Sequence, residues 1–193
     1  MSERSERTDG TSVAFEVVPA GSTSDPDLRE QLLRVWVDVT DAGGSVGFTA
    51  PAPVEQIAAT LDTALAAVAS GRDALGVLRA DDGAVVGMGL LVSRGVDLFA
   101  HWRTVLRLMV HPSWQGTGAG RVLLEGLHDL GRDLGLEHLH LSVRGGEGLE
   151  AFYERFGYRV VGTHPAAVRL GPTDTRDELF LVADLSPSAR DEG

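Results

Sequence analysis

A chain of 193 residues, 43% hydrophobic and 23% charged, has the length and composition of one globular domain with a core of its own. Seventeen basic residues against 28 acidic ones give a formal net charge of −11, which repels nucleic-acid backbones and attracts a cationic small molecule. The absence of cysteine removes disulfides, thiolate nucleophiles and the usual structural zinc sites together.

Met1 to Ser12 is polar and lacks an apolar signal-like core, and no window approaches the roughly eighteen apolar residues of a membrane span. Neither secretion nor a membrane is expected, and a cytoplasmic location follows by default. Residues 1–12 and 186–193 read as flexible tails around one domain at 13–185.

Within it, Val13 to Val18 predicts a strand closed by Pro19. Leu28, Leu32, Val35, Trp36 and Val39 recur at helical spacing behind a cap at Asp25 or Asp27, and Gly43-Gly44 stops them. Pro53 opens a second helix on Ile57, Leu61, Leu65 and Val68. Ala74 to Leu78 and Ala84 to Val92 flank Asp81-Asp82-Gly83 as a hairpin. Thr104 to Val110 is a strand, Gly118 to Leu134 an amphipathic helix, Glu137 to Val143 a strand and Leu149 to Phe156 a short helix. Tyr158 to Val161 and Glu178 to Leu185 close the order as strands on either side of Gly171-Pro172. The sum is a mixed α/β (α+β) domain of about seven strands and about four helices.

The segment richest in chemistry runs from Leu108-Met109-Val110 through Gln115-Gly116-Thr117-Gly118-Ala119-Gly120-Arg121. A strand there enters a helix through a glycine-rich turn, where free N–H groups and the helix dipole favour a phosphate and glycines admit it closely. Arg121-Val122 follow where a P-loop needs Lys and then Ser or Thr, and Gly116, Gly118 and Gly120 are too evenly spaced for a dinucleotide fingerprint.

Gln115 to Gly120 resembles the Arg/Gln-x-x-Gly-x-Gly/Ala pyrophosphate loop of the GNAT acyltransferases. Ala151-Phe152-Tyr153-Glu154-Arg155-Phe156-Gly157-Tyr158 resembles that superfamily's later tyrosine-bearing helix. Further likeness to the tabtoxin-resistance acetyltransferases lies in Gly43-Gly44-Ser45-Val46-Gly47-Phe48, Leu108-Met109-Val110 and Leu139-His140-Leu141. The resemblance implies a GNAT fold, its central sheet mostly antiparallel and splayed. It also implies acetyl-CoA as co-substrate, with no metal, and as acceptor the amine of a small molecule, whether an amino acid, a simple amine or an antibiotic-like compound. Peptide or protein N-acetylation, and a silent acyl-CoA-binding module, are its rivals. A homodimer is the implied assembly where one forms.

By the same resemblance Met109 and Val110 offer main chain to the pantetheine, and Gln115, Gly116, Thr117, Gly118, Ala119 and Gly120 hold the pyrophosphate. A backbone N–H near Val110 faces the oxyanion, the loop from Gly43 to Phe48 lies near the acceptor, and Tyr153 protonates the leaving thiolate. Relatives carry an acid on the strand before the loop or on the strand after the helix. This chain has none between Thr104 and Val110 and carries Ser142 at the second place. Deprotonation is therefore expected to be spread over water and His101, His111 or His140. Trp102 is the aromatic expected to line the cleft, and Asp174, Asp177 and Glu178 are read as a solvated loop.

Overall fold

The computed structural model describes residues 12–185, so the expected tails lie outside it except for Ser12. The elements are β1 (Val13–Val17), α1 (Pro26–Asp41), α2 (Val54–Ala69), β2 (Ala74–Ala80), β3 (Val85–Val92), β4 (Trp102–Val110), α3 (Ala119–Asp133), β5 (His138–Arg144), α4 (Glu150–Glu154), β6 (Tyr158–Arg169) and β7 (Thr175–Asp184). The seven strands form one sheet in the order β1-β2-β3-β4-β5-β7-β6. Every pairing is antiparallel except β4 with β5.

Periodicity decides which helix covers which face. Leu32, Trp36, Ile57 and Leu61 are fully buried or nearly so and pack α1 and α2 over Leu75, Val77, Met88 and Met109 of the sheet. On the opposite face Leu123, Leu124 and Leu127 of α3 are fully buried against Leu78, Leu91, Val105 and Leu139. Each such leucine contributes about 2 kcal/mol relative to an exposed one. Asp25 rather than Asp27 caps α1, its carboxylate accepting from the Asp27 N–H at 2.9 Å.

Two features set up the site. β4 meets β5 over only three paired residues, Trp102 with His138, Arg103 with Leu139 and Thr104 with His140; beyond them the strands part. On its other side β4 bulges: Met88 pairs Met109 and Leu90 pairs Leu106, so Arg107 and Leu108 share the one place opposite Gly89. Arg107 sits there at φ 54°, a left-handed conformation that costs a non-glycine residue on the order of 1 kcal/mol.

One segment differs from the sequence expectation. β6 continues past Val161 to Arg169, and β7 begins at Thr175, so the two make a long hairpin. Pro165 hid the strand, because a proline inside a run reads as a break. Here it lies in an irregularity between His164 and Val168 on an edge strand, where no ladder bond is lost. Asp174, Asp177 and Glu178 accordingly do not form a solvated loop. Asp174 pairs Arg176 at 2.8 Å, Asp177 accepts from the Ala166 N–H at 2.9 Å, and Glu178 is a strand residue.

Candidate active site

Where β4 and β5 part, a cleft of about 1420 Å³ opens between the end of β4, the glycine-rich turn, α4 and the α1–α2 loop. The turn forms its base. Gly118, at φ 94°, is the N-cap of α3 and adopts a conformation that side chains rarely take. The N–H groups of Gly116, Thr117, Gly118, Ala119 and Gly120 find no acceptor among the described residues. Consecutive free donors at a helix N-terminus are the arrangement that can receive an anion. Thr117 and Ala119 bring main chain alone: the Thr117 hydroxyl turns back to the Trp114 carbonyl at 2.7 Å, and the Ala119 methyl is buried. Gln115 donates its side-chain amide to the Val110 carbonyl at 3.1 Å, tying the turn to the end of β4. Met109 and Val110 are buried, and both line the cleft.

Tyr153 projects from α4 into the same cleft. Its hydroxyl has no hydrogen-bond partner among the described residues, and burial pushes its pKa up to about 12. The ring is held edge-on by Phe152 and Tyr158, with centroids 5.1 and 5.6 Å away.

The α1–α2 loop roofs the opposite end. Ser45 donates to Glu147 at 3.0 Å, and Arg144 donates to the same carboxylate and, at 3.4 Å, to the Gly43 carbonyl. Beneath this roof the Arg107 guanidinium lies 5.0 Å from the Trp36 ring centroid. Gly47, at φ 96°, passes so close that a Cβ there would overlap the guanidinium. Burial alone lowers the Arg107 pKa. Ser142 on β5 donates its hydroxyl to Glu178 on β7 at 2.6 Å, and both line the cleft.

The residues proposed as bases are elsewhere. His111 is locked between Ser113 at 2.7 Å and Asp38 at 3.1 Å. His140 lies between the rings of Trp102 and Phe180, with centroids 5.9 and 6.0 Å away, and His101 packs against His138. None of the three lines the cleft, and neither does Trp102, whose partners are Phe99, Arg94 and His140. Two cleft residues escaped the sequence reading. Arg107 announced itself only as a charge inside an apolar strand. Glu178 reaches Ser142 through a pairing between strands 36 residues apart.

Among the described residues no three His, Asp or Glu side chains gather as a metal site, and no helix is long and apolar enough to cross a membrane. Solved structures share the architecture. A protein assigned as a phosphinothricin N-acetyltransferase matches with a TM-score of 0.72 at 16% identity, over 91% of this chain and 100% of that one. YncA of Salmonella typhimurium, assigned as an acetyltransferase and solved with its cofactor acetyl-CoA, matches at 0.70 with 18% identity, over 92% and 96%. Nourseothricin acetyltransferase shares 24% identity at a TM-score of 0.51, over 60% and 67%. Such identities speak for the fold. Family membership rests on the sequence itself: residues 46–158, more than half of the chain, match the model of the Acetyltransferase (GNAT) family, and the chain belongs to that family.

Proposed function

We propose that this acetyltransferase moves an acetyl group from acetyl-CoA to the amine of a small molecule. One observation carries the reading: Gly116, Gly118 and Gly120, whose N–H groups are unpaired among the described residues, line the cleft where β4 and β5 part, together with a phenol that has no hydrogen-bond partner among those residues. Bound acetyl-CoA would supply an activated acetyl group on a thiol that must regain a proton. The chain's own groups fit that task. Gly116 to Gly120 would hold the pyrophosphate through main-chain donors. Met109 and Val110 border the gap where β5 no longer pairs with β4, leaving main chain to face the pantetheine. An N–H near Val110 would face the carbonyl oxygen as charge develops on it. Tyr153 keeps its proton throughout the neutral range and holds it at the phenolic oxygen for the departing sulfur.

The roof formed by Ser45, Glu147 and Arg144 narrows the acceptor end, which favours a small amine over a polypeptide. The formal charge of −11 favours a cationic one. Incubation with acetyl-CoA and a mixed panel of small amines and peptides, read by intact mass, tests the proposal. A gain of about 42 Da, an acetyl group in place of one amine hydrogen, is expected on small amines. Transfer confined to peptides, or acetyl-CoA binding without transfer, would overturn it.

A further inference from the structure

Five arginines line the cleft, and their partners separate them. Arg121 is paired with Glu125 at 2.8 Å, Arg144 with Glu147, and Arg155 donates to the Ala151 carbonyl at 3.1 Å. Arg169 has no partner among the described residues but is exposed, so water solvates it. Arg107 alone is both withdrawn from water and without a hydrogen bond or ion pair among the described residues. A guanidinium packed on the Trp36 ring beneath Gly47, on a strained bulge, is held in place at a cost and left with its donors unused. Desolvated cations of this kind persist where an anion completes them.

The cleft also holds the opposite case. Glu178 is half-buried; among the described residues its one hydrogen-bonded side chain is the neutral Ser142 hydroxyl, and no ion pair neutralises it. No ion pair joins Glu178 to Arg107, although both line the same cleft. Neither charge serves the pyrophosphate: the free donors lie at the start of α3, whereas Arg107 sits on the α1 side, over Trp36.

We infer that the acceptor is a zwitterion, an amine bearing a carboxylate, seated with its carboxylate on Arg107 and its ammonium on Glu178. The inference rests on the acetyl-transfer reading above. Arg107 offers a planar fork that suits a carboxylate. Glu178 takes a proton from the ammonium and passes it to water. The new C–N bond then forms as the C–S bond breaks, the sulfur takes the Tyr153 proton, and the second proton lost by nitrogen restores the phenol. Glu178 thereby supplies, from β7, the carboxylate absent from β4 and from position 142 of β5.

The test compares each of a set of free amino acids with the amine left when its carboxylate is removed, under saturating acetyl-CoA. The wild type is expected to favour the carboxylate-bearing member by about thirtyfold or more in kcat/KM. Arg107→Asn suits the left-handed backbone and removes the charge, and Arg107→Lys keeps a charge without the fork. The first should erase the preference by raising KM for the carboxylate-bearing member, with acetyl-CoA affinity retained, and the second should keep part of the preference. Glu178→Gln should lower kcat for both members by about a hundredfold. Equal use of both members, or a preference that survives Arg107→Asn, overturns the zwitterion while leaving acetyl transfer intact. Absence of transfer to any amine of either series, despite saturable acetyl-CoA binding, overturns the transfer reading itself.

Discussion

Tyr153 and Tyr158 face each other edge to plane, their centroids 5.6 Å apart and their rings at 74°, yet only one hydroxyl is tied down. Tyr158 shares a hydrogen bond with His128 at 3.2 Å, whereas the Tyr153 hydroxyl has none among the described residues. Two adjacent phenols in one apolar cluster thus have different chemistry open to them.

Their phenylalanine variants should separate cleanly. Tyr153→Phe is expected to lower kcat by roughly a hundredfold with acetyl-CoA affinity and melting temperature preserved, since only the transition state uses its proton. Tyr158→Phe strands a buried His128 nitrogen, so it should cost about 1–3 kcal/mol of stability and little kcat. Steady-state kinetics beside thermal melts decide the pair, and a Tyr153→Phe enzyme within twofold of wild type would return that phenol to packing.

Gly120 tests the anion cradle better than Gly118. A side chain at Gly118 meets an unfavourable φ of 94°, so loss of binding there would mix strain with obstruction. Gly120 has no such φ, and an added Cβ would find only the Phe152 ring at 3.8 Å. Gly120→Val should leave the fold intact and weaken acetyl-CoA binding at least about tenfold, or about 1.4 kcal/mol, by calorimetric titration. Unchanged affinity would remove the turn from the site.

His101→Ala, His111→Ala and His140→Ala should each lower kcat/KM by less than about tenfold, because all three rings are held outside the cleft. His111→Ala should show its effect in stability, through the lost contacts with Asp38 and Ser113. A hundredfold loss in any one, with acetyl-CoA affinity preserved, would name it as the base in place of Glu178.

The His128 imidazole makes stability depend on acid. Burial first, and then nearby Arg132, depress its pKa from 6.5 to about 4, with Asp129 and Glu125 opposing. Between those values the unfolded chain binds more protons than the folded one. The contribution is therefore complete above pH 6.5 and is lost as pH falls towards 4, by about 3 kcal/mol in all. His128→Gln retains a partner for Tyr158 and removes the titration, so its melting temperature should change less over that range than that of the wild type.

Much of the fold was legible because its elements follow local rules. The 3.6-residue pattern of Leu28 to Val39 gives α1, and the strand, glycine turn and amphipathic run from Thr104 to Leu134 give β4, the cradle and α3. The glycine turn before α3 and the tyrosine-bearing helix α4 could be placed by motif, since the residues of each are contiguous. Arg107 and Glu178 could not. What matters about Arg107 is the lack of a partner, a property of everything around it, and its left-handed φ arises from register against Gly89. Glu178 acquires meaning only from the β5–β7 pairing, and Pro165 obscured the hairpin that brings it there.

The three-residue meeting of β4 and β5 gives this sheet four edges instead of two. β1 and β6 form the outer pair, while the inner pair runs along the parted lengths of β4 and β5, where the two strands no longer bond each other. Exposed edges invite aggregation between chains. Here α4 and the tethered α1–α2 loop flank the inner pair and line the cleft between them. Amide hydrogen exchange along Leu141 to Arg144 should slow when that space is filled, as though the sheet had gained a rung.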